Sequence, residues 1–207
     1  MQTFLPYPSF PLSAHVLDAR RLGKQRVEGV QILRALAGHG KNSSWQFHPA
    51  VGMWRRHERS LMRYVHAVMV EWVRRGYTQN IASPQTPEGK EMYQLPDSWY
   101  NRPIVHPVWL GHERFHAAHR AALLHKDPDW YAQFAWTEPP VLDYWWPGRI
   151  PVAGEYLVDS LSREAVLVIQ MHKDYAECIN EHTQAVHAIP REQIIMRKWE
   201  RAQRRNV

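Results

Sequence analysis

The chain has 207 residues, 44% hydrophobic, with ten tryptophans, a net charge of +6 and a pI near 9.6. That length suits one medium domain, or a domain with a small appendage, around a buried core. The charge favours an anionic partner such as nucleic acid or an acidic membrane surface, with plain solubility charge as the alternative. A lone cysteine, Cys178, excludes an intramolecular disulfide, no run reaches membrane-span length, and MQTFLPYPSF lacks the features of a signal peptide, so a cytoplasmic, nucleoid-associated protein is expected.

Ser13 is read as the N-cap of a first helix that runs to about Gly38. On its wheel Val16, Ala19, Leu22, Val27, Val30, Leu33 and Ala37 share one side, while Arg21, Lys24, Glu28 and Gln31 share the other. Arg26 falls near the apolar side, and Gly23 costs about 1 kcal/mol against alanine in mid-helix. Both point to a bend or a close backbone approach. Residues 41–53 read as a loop holding Trp45, His48 and Pro49. A second helix spans about 53–75, with a stripe of Leu61, Tyr64, Val65, Val68, Trp72 and Val73, and stops at Gly76. Residues 77–108, rich in proline and polar groups, read as a long connection.

A third helix covers 111–125, and Pro128 opens the aromatic stretch DWYAQFAW. The pattern then changes to short strands and turns, giving a small β module over 141–196 in the manner of a partly open, SH3-like barrel. A basic tail, 197–207, carries Arg197, Lys198, Arg201, Arg204 and Arg205 as a nucleic-acid arm or a solvated helix end. The expected architecture is mainly α: a helical domain (1–140), the β module and the tail.

The face with Arg21, Lys24 and Glu28 has two readings. Lys24 and Glu28, four apart, suit an ordinary ion pair worth a few tenths of a kcal/mol. The same groups also suit a nucleic-acid cleft in which cations hold phosphates and one carboxylate moves protons.

Three stretches bear on that choice: LDARRLGKQRVEGVQIL, EWVRRGY (Glu71 to Tyr77) and PDWYAQFAW (Pro128 to Trp136). In order and spacing they resemble the pyrimidine dimer DNA glycosylase/AP lyase family of the phage endonuclease V type, over about residues 1–138. The resemblance places Glu28 on the family's catalytic glutamate, Gln31 where phage members have a DNA-contacting arginine, and Arg21 where they have histidine. It implies a metal-independent DNA glycosylase with AP lyase activity, without cofactor, acting on double-stranded DNA that carries damaged or modified pyrimidines such as pyrimidine dimers. The family's nucleophile is the α-amine of the first residue. Such an amine, with a reference pKa of ~7.7–8.0, is partly neutral near pH 7. Phage members expose threonine after losing methionine. Here Gln2 is too large for efficient methionine removal, so Met1 is expected to stay and supply the amine, with Lys24 as a reserve.

DNA contacts are expected from Arg20, Arg21, Lys24, Arg26 and Gln31. Trp130 and Tyr131 are expected to receive unstacked bases; Phe134 and Trp136 suit either that role or core packing. His48 either lines the cleft or caps a turn. His112, His116 and His119 share one helical face, which suits a metal site or, preferably, a hydrated or phosphate-facing surface. Asp127 and Asp129 flank Pro128 as turn residues. Two further readings stand beside the glycosylase: a catalytically inactive DNA-binding protein on the same scaffold, and a glycosylase for another modified base.

Overall fold

The computed structural model describes residues 2–39, 48–147, 153–154, 156–159, 162, 164–172, 174–180, 182–195 and 199–202, excepting the side chains of 158, 192, 195 and 199–202. The chain divides into two compact units, Met1–Trp146 and Pro147–Val207. The first is helical and the second is built on an antiparallel sheet, as the mainly α reading with a C-terminal β module expects.

The single first helix expected from Ser13 is two helices, α1 (Phe10–Val16) and α2 (Ala19–Leu36). The chain breaks where Leu17 turns extended and Asp18 begins again as N-cap, its carboxylate accepting the Arg21 N–H at 3.0 Å. Ser13 lies inside α1 instead, and its hydroxyl donates to the Tyr7 carbonyl at 2.8 Å. A short α3 (Pro49–Gly52) precedes α4 (Glu58–Arg74), which starts five residues later than expected, after Arg56 takes a left-handed φ of 71°. The expected connection 77–108 contains α5 (Pro87–Tyr93) and α6 (Asp97–Tyr100). Then come α7 (Glu113–Lys126) and α8 (Pro128–Tyr131), with a 3-10 turn over Ala132–Phe134.

α4 fastens α1 through the Glu71–Tyr77 stretch. Glu71 accepts from Arg74 at 2.6 Å and from Arg75 at 2.7 Å. Arg75 also donates to the carbonyls of His15 (2.6 Å) and Leu17 (2.7 Å) at the end of α1, where helix carbonyls lack partners. The bonds from Arg74, then Arg75, hold the Glu71 carboxyl down at about 2 against the opposing effect of burial.

The α2–α4 contact explains the glycines. A Cβ on Gly23 would sit 3.1 Å from the Trp72 ring, and one on Gly29 only 2.4 Å from Val65 Cγ2. The buried stripe of α2 is Leu22, Gln25, Arg26, Gly29, Val30, Ile32 and Leu33. Val27, assigned to the apolar side from sequence, is 45% exposed. Arg26 takes the inner place because its guanidinium lies 4.0 Å from the centre of the Trp72 ring, an arrangement that compensates part of the cost of burying charge. Gly29→Ala is expected to destabilise the fold by up to ~2 kcal/mol: overpacking costs ~1–3 kcal/mol and is only partly offset by alanine's helix preference of about 1 kcal/mol. Urea unfolding of Gly29→Ala, Val65→Ala and the pair checks this, since the double variant should lose less than the two single losses added.

In the second unit β1 (Tyr156–Asp159), β2 (Ala165–Met171), β3 (Tyr175–Ile179), β4 (Val186–Pro190) and β5 (Trp199–Ala202) form one antiparallel sheet in the order β4-β3-β2-β1-β5. A short α9 (Arg191–Ile195) follows β4. Leu157, Val166, Val168, Ala176, Cys178, Ile189 and Ile194 make its core, and the alternation 166/168 and 176/178 matches the two-residue strand period. The sheet is open: β4 and β5 are its edges, and no pairing among the described residues closes a barrel. The start of the expected basic tail is strand β5, paired with β1. Arg197, Lys198, Arg204 and Arg205 lie outside the described residues.

Candidate active site

The site is built around an extended arm, residues 2–7, threaded through the helical unit. Gln2, Thr3, Phe4 and Leu5 are at most 6% exposed. Among the described residues no strand pairs with the arm, and side chains satisfy its backbone. Gln25 of α2 does most of this. Its Oε1 accepts the Phe4 N–H at 2.8 Å and the Tyr64 O–H at 2.5 Å. Its Nε2 donates to the Gln2 carbonyl at 2.7 Å and to Glu28 Oε2 at 3.0 Å. Donors on one side and acceptors on the other fix the amide's orientation. Glu28 Oε2 also accepts the Gln2 N–H at 3.3 Å. The start of the arm and the half-buried Glu28 carboxylate are therefore direct neighbours. Further out, the Trp54 indole donates to Thr3 Oγ1 at 3.0 Å and Arg120 donates to the Pro6 carbonyl at 2.9 Å. Met1, expected to carry the nucleophilic amine, lies outside the described residues.

The α7 histidines are not the hydrated face expected of them. His116 and His119 are fully buried and grip one residue, Leu5. His119 Nδ1 accepts the Leu5 N–H at 3.1 Å, so its proton sits on Nε2. His116 Nε2 accepts the Gly111 N–H at 2.9 Å, so its Nδ1–H donates to the Leu5 carbonyl at 2.7 Å. Two neutral imidazoles of opposite tautomer thus hold both polar groups of one residue. Burial, with the neighbouring His116 adding to it, depresses His119 to about 3; burial also depresses His116. His112 stacks on Trp145 instead, with ring centres 5.2 Å apart. Among the described residues no group of three or more His, Cys, Asp or Glu side chains is placed to hold a metal ion.

The cations divide into two sets. Arg21 is turned inward: it pairs with Asp18 at 2.7 Å and Asp127 at 3.2 Å, and donates to the Lys126 carbonyl at 2.9 Å. Arg26 is buried on Trp72 and donates to Gln79 at 2.8 Å. Their guanidiniums serve the fold. Arg20 and Lys24 are exposed, as is Gln31, and Lys126 joins them at the end of α7. Arg20, Lys24 and Lys126 enter no ion pair among the described residues, including the Lys24–Glu28 pair that the spacing suggested. Burial, followed by repulsion from Arg21, Lys24 and Arg20, lowers Lys126. Sequence reasoning missed Lys126 because 105 positions separate it from Arg21.

The aromatic residues divide in a similar way. Tyr131 is fully buried; its hydroxyl donates to Asp18 at 2.6 Å and its ring stacks on Trp136 at 5.5 Å. It has no open face for a base. Phe134 and Trp136 stack together at 5.2 Å, and the Trp136 indole donates to the Tyr7 hydroxyl. Trp130 remains 38% exposed, with its indole N–H tied to the Val16 carbonyl at 2.9 Å. His48 caps α3 through the Ala50 N–H at 3.1 Å. Its ring also meets Trp146 edge-on at 5.9 Å, and burial holds its pKa below the usual value while the Glu28 charge opposes that shift. Asp127 is the turn residue it was expected to be, capping α8 as well as pairing with Arg21.

Residues 1–84 match a family model described as pyrimidine dimer DNA glycosylase. No curated protein and no solved structure matches the chain. The matched span takes in the α2 stretch with Glu28 and the Glu71–Tyr77 stretch; the third similar stretch, Pro128–Trp136, lies beyond it. Over residues 1–84, then, the chain is similar to the pyrimidine dimer DNA glycosylase family.

Proposed function

We propose that the protein is a DNA glycosylase with AP lyase activity that acts on double-stranded DNA carrying damaged or modified pyrimidines, such as pyrimidine dimers. The observation that carries this reading is the contact between the arm and Glu28: the Gln2 N–H lies 3.3 Å from the carboxylate. One residue spans at most about 3.6 Å, which supports an α-amine on residue 1 working together with that carboxylate. In this reading the neutral Met1 amine attacks C1′ and the C1′–N bond to the base breaks. The base leaves with the bonding pair and takes up a proton. The nitrogen lone pair then opens the sugar ring: the C1′–O4′ bond breaks, O4′ takes up a proton, and C1′ becomes an iminium that acidifies the 2′ protons; loss of one forms the C1′–C2′ enamine, whose electrons expel the 3′ phosphate. Glu28 stabilises the positive charge that develops on the sugar and relays protons. Arg20, Lys24 and Lys126 meet phosphates, beside Gln31, while Trp130 supplies an exposed ring for an unstacked base.

Two measurements test the reading. Glu28→Gln is expected to lower base release from ultraviolet-irradiated duplex DNA by ~10²–10⁴-fold, with DNA affinity largely retained. Borohydride trapping on an abasic-site duplex is expected to give an adduct that peptide mapping places on residue 1. An adduct on Lys24 would move the nucleophile, and no adduct would remove the lyase step. Wild-type protein that binds DNA but releases no base from any of a panel of modified duplexes would leave a binding protein on this scaffold.

A further inference from the structure

The segment DYWWPG, from Asp143 to Gly148, lies well past the family-matched residues, yet three of its aromatic rings pack in the helical unit. Trp145 is buried, 6% exposed, against His112 and Phe115. Its neighbours Tyr144 and Trp146 remain half-exposed and touch each other, ring centres 5.7 Å apart. That is the alternation of an extended chain: one ring anchors the segment while i and i+2 meet on the other side. Tyr144 also meets Phe4 at 6.3 Å and His119 at 5.8 Å, and Trp146 meets His48 at 5.9 Å. Phe4 is held by the same Gln25 amide that holds Glu28. A row of rings, Phe4–Tyr144–Trp146–His48, therefore runs beside the start of the arm.

We propose that Tyr144 and Trp146 form the wall of the site against which the unstacked base of the DNA substrate lies. This rests on the glycosylase reading and adds the substrate-binding surface to it. Trp130, the exposed ring of the PDWYAQFAW stretch, is anchored to the end of α1, whereas Tyr144 meets Phe4 of the arm and Trp146 packs on Tyr144. Burial carries the Tyr144 phenol to about 12 and keeps it protonated, with the Arg21 charge opposing that shift and the Glu28 charge adding to it. The Tyr144 hydroxyl makes no hydrogen bond among the described residues, so it is left to donate to, or accept from, a base edge. A ring pair reads stacking and shape, which suits a base already unpaired or distorted.

The test uses the full chain with Trp146→Ala, Tyr144→Ala, Trp146→Phe and Tyr144→Phe, each checked for a wild-type unfolding temperature. Two duplexes serve as probes: one with a pyrimidine dimer and one with an abasic site, which has no base to stack. Each alanine variant is expected to lower kcat/KM on the dimer duplex by about 5- to 150-fold, the range for one lost base–aromatic stack. The loss should appear in KM, be smaller on the abasic duplex, and be largely recovered by phenylalanine at 146. Equal loss on both duplexes, or none on either, overturns the wall. Fluorescence of 2-aminopurine at an unpaired position reads stacking without catalysis: wild type should quench it, and Trp146→Ala should not. Trp146-dependent quenching in a protein that releases no base would keep the wall and reject the glycosylase. Base release indifferent to Trp146 and Tyr144 would do the reverse.

Discussion

Gln25→Leu is expected to destabilise the helical unit by ~3–5 kcal/mol. The side chain is fully buried and makes four hydrogen bonds. Its loss leaves the Phe4 N–H and the Gln2 carbonyl without their partner, and each buried orphan costs ~1–3 kcal/mol. Tyr64 escapes part of the loss, because its hydroxyl can turn to the Phe4 carbonyl 3.1 Å away. Tyr64→Phe should accordingly cost only about 1 kcal/mol. Urea midpoints of both variants check the ratio. Gln25→Glu is the more informative change because it keeps the shape. It turns the donor that now faces the Gln2 carbonyl and Glu28 into an acceptor, and sets two carboxyls within hydrogen-bond distance of each other. Like charges that close share a proton and raise one pKa strongly. The pH profile of base release should shift upward, with little change in the affinity for undamaged DNA. An unshifted profile with normal base release would mean that Gln25 holds the arm but does not govern the carboxylate.

These results depend on links of very different visibility in the sequence. Glu28 could be picked out because its own helix carries the motif. Gln25, three residues away, could not: its partners Phe4 and Tyr64 lie 21 and 39 positions off. The break between α1 and α2 had a local signal, an aspartate N-cap at Asp18, but Ser13 offered an equally good cap earlier and no chain-local rule chooses between them. The wheel of α2 went wrong at Val27, which hydrophobicity placed inside, whereas it put Arg26 near the apolar side, where the structure buries it. An arginine lying on Trp72 is apolar enough along its stem and ring contact to take the inner place.

On α7 the signal was present and underused. His112, His116 and His119 fall on the same arc as Phe115, Ala122 and Leu123, the buried side of that helix. Polar groups on a buried arc need partners, and the arm that supplies them is more than a hundred residues distant. Strand β5 was hidden for a related reason. MRKWERAQRRNV reads as a charged tail until β1 is there to pair with it. The inward turn of Arg21 follows likewise from Asp127, a residue of another helix's cap.

The Leu5 clamp makes the protein acid-sensitive in a pH range where carboxylates are still silent. His119 sits at about 3 in the fold and near 6.5 when unfolded. Between those values the unfolded chain binds the extra proton, so stability rises with pH. The histidine contribution is complete above about pH 6.5 and drains as pH falls toward 3, by about 1.4 kcal/mol per unit for His119. His116 and His48, also depressed by burial, add in the same direction over narrower windows. Glu71, held at about 2, adds its own loss only below its usual range near 4.5. From pH 7 to pH 5, therefore, the fold should lose ~2 kcal/mol from His119 alone, or ~4–8 °C in Tm for a chain of this size. His119→Asn places an acceptor near the position of Nδ1 and cannot titrate. It should lower Tm at pH 7, because the smaller side chain leaves a cavity, yet flatten the slope from pH 7 to pH 5. A variant whose Tm falls as steeply as wild type across that interval would show that His119 is not the group taking up the proton. Protonation turns the Nδ1 lone pair that receives the Leu5 N–H into a second donor, so acid should loosen the arm before it unfolds the unit. Amide exchange at Leu5 should quicken at pH 5.5 relative to the α4 core, after correction for intrinsic rates, and base release should fall with it. Because α2 does not depend on that clamp, Glu28 should keep its place on its helix while the arm leaves it.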